Sequence, residues 1–288
     1  MRSWKGDRIR RAHRARLAVA ALALVLASPL AGCGRTASLR ALLPPQLLGF
    51  ERVSDELWVE PGTPAATRTK LRLGLDTARR RVESYYGPLE SRPLVLACRT
   101  RAAARALGLY ARNAHVGAHV VAGRVIVVGP RSLDAGVLTH EWAHAELLAR
   151  LHPGHGRVSF VPRWFDEGLA CVIGEEARYS EPHWQEIVRR GAPVPNLGEL
   201  MTFRQIEAAV EHYGDTRPDS AGNLHVVYSA AAHEVRGWLA RVGPRGLLSL
   251  IAAMRDGESF WSAYARIGRA EGIHGQFGPA FRKVGSDS

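Results

Sequence analysis

The period of the apolar residues changes along this chain. Up to Pro130, short β-branched runs frame one long stretch of helical spacing; from Ser132 onward the helical period dominates. "ELWVEPG" (56–62) reads as a strand ending at Pro61-Gly62. Residues 64–86 read as a helix with Leu71, Leu73, Leu75, Ala78 and Val82 inward and arginines outward. "RPLVLACR" (92–99) is a short buried strand, followed by an Ala/Arg-rich helix to about Gly108. "AHVVAG" and "RVIVVGP" flank Ala122-Gly123 as a hairpin or a pair of edge strands. Residues 132–151 form a long helix with Leu133, Val137, Leu138, Trp142, Leu147 and Leu148 apolar. A Gly/His/Pro loop (152–157) leads to the helix "PRWFDEGLACVIG". Further on, 227–254 reads as two helices meeting at Gly243-Pro244. Strands first and helices after predict an α+β protein: a small N-terminal mixed sheet with one long helix, then a mainly helical C-terminal part.

Residues 1–32 are read apart from the fold. Seven basic side chains precede residue 17 against one acidic, and the uncharged run "LAVAALALVLASPL" follows. A basic start and a short apolar run describe a secretory signal; a spanning helix needs roughly 20 apolar residues. The run closes on Leu30-Ala31-Gly32-Cys33, which resembles a bacterial lipobox and implies lipid attachment at Cys33. The expected division is a lipoprotein signal (1–32), a tether (33–55) and one domain (56–288), with the sheet and long helix in 56–151 and helices in 152–288. The expected location is the periplasmic side of a bacterial envelope, on a membrane through the lipid anchor. The formal charge of +12 falls to +6 without residues 1–32. Nearly all the basic residues are arginine and no nucleic-acid motif accompanies them, so nucleic acid is not an expected partner. Export would permit a Cys98–Cys171 disulfide; a buried reduced pair is the equal alternative.

Candidate chemistry centres on "HEWAH", His140 to His144. Residues four apart on a helix stack on one face about 5–6 Å apart, so both imidazoles can address one ion. Glu141 is turned about 100° from His140, away from direct chelation and toward a water in an open coordination position. Catalytic zinc normally has three protein ligands, and "RWFDEGLA" offers Glu167, 23 residues after His144, on the next helix. Asp166 is its rival, but adjacent helical residues diverge, so only one can face the ion. Asp166 is otherwise a first-turn carboxylate or an orienter of His140 or His144. His115 and His119 are four apart within strand-like sequence, which separates them by roughly 13 Å, too far to share an ion. Glu146 reads as a solvated helix charge, and His152 and His155 as loop residues over the cleft.

His140-Glu141-Trp142-Ala143-His144 followed by Trp164-Phe165-Asp166-Glu167-Gly168-Leu169-Ala170 resembles the gluzincin zinc metallopeptidases of the peptidase-MA-like group. The similarity is strongest over 138–171. It implies a zincin-like fold, one Zn2+ held by His140, His144 and Glu167, and Glu141 as general base. It also offers Tyr228 as a candidate oxyanion donor, beside the plainer reading of a core tyrosine. Some gluzincins carry an aspartate four residues after the ligand glutamate to orient a histidine. Here Cys171 stands in that place, so the orienting acceptor must come from elsewhere, such as a backbone carbonyl. Cys171 as a fourth ligand would close the site. The expected activity is hydrolysis of peptide bonds in envelope peptides or proteins, with extended substrate pairing to "RVIVVG" as an edge strand. The alternative is a non-catalytic envelope lipoprotein using the same scaffold for binding or assembly.

Overall fold

Strand-forming runs in the first half of the chain assemble into a single five-stranded sheet. The computed structural model describes residues 38–110, 117–152, 160–212 and 222–270; the leader 1–32, Cys33, His115 and His155 lie outside them. The strands are β1 (Glu51–Arg52), β2 (Leu57–Val59), β3 (Leu94–Ala97), β4 (Ala118–Val121) and β5 (Val125–Val128), in spatial order β1-β2-β3-β5-β4. β2, β3 and β5 run parallel, and β1 and β4 add antiparallel at the two edges. The inner strands are almost wholly apolar because both faces are covered. Leu57, Val59, Val95, Ala97, Ile126 and Val128 face the main core. Trp58, Leu96, Val125 and Val127 face a smaller core on the reverse side.

Helix α1 (Ala65–Tyr86) connects β2 to β3, and α2 (Arg101–Ala106) follows β3. Leu71, Leu75, Ala78, Val82 and Tyr86 form the buried stripe of α1. Leu73, expected inward, is 58% exposed; two residues from Leu71 on a helix is a turn of about 200°, to the opposite face.

Two further expectations are corrected. "RVIVVG" is no edge: β5 lies between β3 and β4, and among the described residues the outer strands are β1 and β4, the latter carrying His119. The hairpin itself forms, with Ala122 and Gly123 both left-handed (φ 51° and 66°) and the Arg124 N–H on the Val121 carbonyl at 3.0 Å. The tether expected over 33–55 already contributes to the fold within its described part. Ala41 and Phe50 are buried in the reverse core, and Glu51–Arg52 form β1. Cys98 and Cys171 are both buried and free.

The helical part comprises α3 (Ala135–Leu151), α4 (Arg163–Gly174), α5 (Glu181–Arg189), α6 (Phe203–His212), α7 (Gly222–Arg255) and α8 (Phe260–Ala270). Asp134 caps α3 by accepting from the Val137 N–H at 3.0 Å. α7 is broken where expected, at Gly243 (φ 63°, ψ −174°) before Pro244. α4 lies between α3 and α7. Gly168 permits the second contact, since a Cβ there would stand 2.5 Å from the Ala231 carbonyl oxygen. Trp164 and Phe165 plug into an aromatic cluster with Trp238, Phe260 and Tyr264. Their burial fixes the rotation of α4 and so turns the next two residues, Asp166 and Glu167, toward α3. Among the described residues no helix is long and apolar enough to cross a membrane.

Candidate metal centre

α3 and α4 meet where their chemistry lies. His140 Nε2 and His144 Nε2 are 3.1 Å apart, and Glu167 Oε2 stands 3.3 Å from the first and 3.4 Å from the second. Donors bound at about 2.0–2.1 Å in a tetrahedron are separated by about 3.3–3.4 Å. The triangle is therefore close to the size that one small ion needs, and these three residues could hold a metal ion. All three side chains are buried or nearly so, at 12%, 11% and 4% exposure.

The imidazoles are held from behind. His144 Nδ1 bonds Asp166 Oδ1 at 2.6 Å, and His140 Nδ1 bonds Glu176 Oε1 at 2.8 Å. A carboxylate on the far nitrogen fixes the ring orientation and presents the Nε2 lone pair to the ion. Asp166 is thus the orienter of His144 and not a rival ligand. For His140 the acceptor is the carboxylate of Glu176, in place of the backbone carbonyl offered as an example. α4 ends on Glu175 in the left-handed region (φ 51°), which swings Glu176 back against α3, where Gly136 and Gly174 let the two backbones approach. Arg178 clamps Glu176 from outside, its Nε donating to Oε2 at 2.8 Å.

His140, Cys171 and Glu176 form a second close group, on the reverse side of the His140 ring. Its 2.8 Å contact is a hydrogen-bond length, well inside the ~3.3 Å that two ligands of one tetrahedral ion keep. Burial pushes the Cys171 thiol up to about 12, so it stays protonated, 3.9 Å from His140 Nδ1. The group orients His140, and Cys171 does not close the first site.

Charge at the centre is dense. Burial acts to lower the pKa of His144, but Asp166 and Glu167 overcome it and raise it to about 9. His140 is likewise raised well above 6.5 despite burial, through Cys171, Glu167 and Glu176. Glu167 is held well below the usual carboxylate range: burial opposes ionisation, and Arg163 with His144 outweighs it. Glu141 moves the other way, pushed up by burial and only partly restrained by the two histidines. Among the described residues it makes no hydrogen bond or ion pair. Tyr228, in α7, stacks on Tyr179 at 5.6 Å. Burial, then Glu167, keep its phenol protonated, as a donor.

The sequence reading missed two contributors. Arg163 pairs with both Asp166 and Glu167; its spacing of three and four residues before them was a usable signal. Glu176 had none, because only the left-handed turn at Glu175 brings it home. Glu146 was misread: it is fully buried and bonded to Ser91 and Arg150, away from the donor triangle. His152 sits at the C-terminal end of α3, with Nδ1 3.2 Å from the Leu148 carbonyl. Comparison of the chain with protein-family models, with curated proteins and with solved structures finds no match.

Proposed function

We propose that this protein is a zinc-dependent peptidase of gluzincin type, with a zincin-like fold, exported and lipid-anchored through Cys33 in a bacterial envelope. The observation that carries the catalytic reading is the donor triangle of His140, His144 and Glu167, with a carboxylate behind each imidazole and Glu141 left unligated beside it. Two imidazoles and one carboxylate are a catalytic zinc set, because three protein ligands leave a coordination position open. Bound there, Zn2+ supplies Lewis-acid polarisation of a carbonyl and makes water more acidic.

The chain's own groups do the rest. Glu141 accepts a proton from the attacking water and delivers it to the leaving nitrogen; its raised pKa suits a group that must both take and give. The Tyr228 phenol donates toward the oxyanion. Asp166 and Glu176 keep the imidazoles from turning. β4, an outer strand among the described residues, offers its edge to the substrate backbone. It packs against α3, and the turn after it brings Gly123 beside Leu148 of that helix.

The test begins with metal analysis. Gently purified chain should carry close to one zinc, and Glu167→Ala or His144→Ala should lose most of it. Less than about 0.2 zinc per wild-type chain would sink the reading, given how tightly three-ligand sites hold the ion. Mass spectrometry of envelope peptides incubated with zinc-loaded protein then reads out cleavage. A fully loaded protein that cuts nothing would favour the non-catalytic scaffold.

Metal affinity should also depend steeply on pH. The His144 imidazole is raised to about 9 and that of His140 well above 6.5, so an ion must displace protons to bind. Affinity should rise by about tenfold or more per pH unit between about pH 6 and 8, because each displaced proton adds a factor of ten. Competition titration with a chromophoric chelator measures the slope; a flat profile would contradict the protonation pattern described here.

A further inference from the structure

We propose that Arg163 is a positioning residue that restricts Glu167 to ligation through one oxygen and thereby keeps a coordination position open. This rests on the metal-site reading above and adds a role for a residue outside the ligand set. Arg163 opens α4, and its two terminal nitrogens separate onto neighbouring carboxylates: Nη1 onto Asp166 Oδ2 and Nη2 onto Glu167 Oε1. Each carboxylate is thus divided. Its outer oxygen belongs to the guanidinium, and its inner oxygen serves the centre. Asp166 Oδ1 meets His144 Nδ1 at 2.6 Å, and Glu167 Oε2 alone faces the two Nε2 atoms at 3.3 and 3.4 Å.

The guanidinium is itself held in place. The Phe203 ring lies 5.5 Å from its carbon, and the Arg163 backbone N–H bonds the Met201 carbonyl at 3.0 Å. An arginine fork can hold two oxygens in fixed geometry, which a lysine point charge cannot. A carboxylate relieved of that hold can turn both oxygens to an ion and take the position that substrate and water need. One cation therefore sets the orientation of a ligand and of the group behind another ligand.

Cobalt(II) loaded into the full chain reports the coordination number directly, because four-coordinate cobalt absorbs visible light more strongly than five-coordinate cobalt. Wild type should give the intense spectrum. Arg163→Met should lose much of that intensity while still binding one cobalt, and its zinc form should be about 10–100-fold less active. Arg163→Lys should change in the same direction but less, and stands in if the Met variant fails to fold by circular dichroism. A wild-type spectrum in every folded variant overturns the role of Arg163 and leaves the metal site standing. Failure of wild type itself to bind cobalt or zinc removes the site reading, and this inference with it.

Discussion

Glu141→Gln should lower turnover by about 10²–10⁴-fold, the usual worth of a general base, with zinc content unchanged. The two halves of that result have separate causes. The donor triangle does not include Glu141, so an amide there takes nothing from the ion's ligands. Glutamine matches glutamate in shape, but its amide cannot hold and return a proton. The buried carboxylate has a pKa raised above 4.5, first by burial, with His140 and His144 pulling it back. Its ionised form is the base, so wild-type kcat/KM should fall on the acid side as that group protonates. The residual activity of Glu141→Gln should lack that part of the acid limb. Peptide-cleavage assays across pH with parallel metal analysis check both halves. An unchanged rate in a zinc-loaded variant would remove Glu141 from the mechanism.

The readable part of the site was the part built by local geometry. His140 and His144 lie on one helix turn, and Arg163, Asp166 and Glu167 share the first turns of the next, so spacing alone brings each set together. Sequence could not show what lies behind His140. Glu176 falls after the end of α4, and its approach depends on one left-handed residue. Strand order is also non-local, and there the composition held an unused clue. "VIVV" of β5 is apolar at every position, as befits a strand with neighbours on both sides, whereas β4 carries a histidine. Leu73 is apolar yet outward, because the stripe through Leu71, Leu75, Ala78 and Val82 excludes it. Helix α3 misled differently. It is buried on nearly all sides, so its polar residues could not be assumed to face water.

Glu146 is the sharpest instance, and removing it should destabilise the protein by about 3–5 kcal/mol, the cost of breaking a buried ion pair. It lies four residues before Arg150, a spacing that on an exposed helix marks a weak surface pair worth only a few tenths of a kcal/mol. Here Glu146 is 0% exposed. Its carboxylate accepts from the Glu90 N–H at 2.9 Å, the Ser91 N–H at 2.8 Å, the Ser91 hydroxyl at 2.7 Å and Arg150 Nε at 2.7 Å. The same Ser91 hydroxyl accepts from Trp142 Nε1 at 3.1 Å, and Arg150 also donates to the Pro88 carbonyl at 2.6 Å. One carboxylate therefore fastens the loop before β3 to the helix that carries His140 and His144. Glu146→Ala leaves Arg150 with only the more distant Glu90 carboxylate at 3.7 Å and the Pro88 carbonyl, and it orphans two backbone donors, which is why the expected loss exceeds that of an ordinary hydrogen bond. Urea unfolding should show a lower midpoint with an unchanged slope. Glu146→Leu combined with Arg150→Met should recover much of the loss, because no charge is then left buried without a partner. A near-neutral Glu146→Ala would mean that water reaches this network, and that α3 is held in place by its apolar contacts alone.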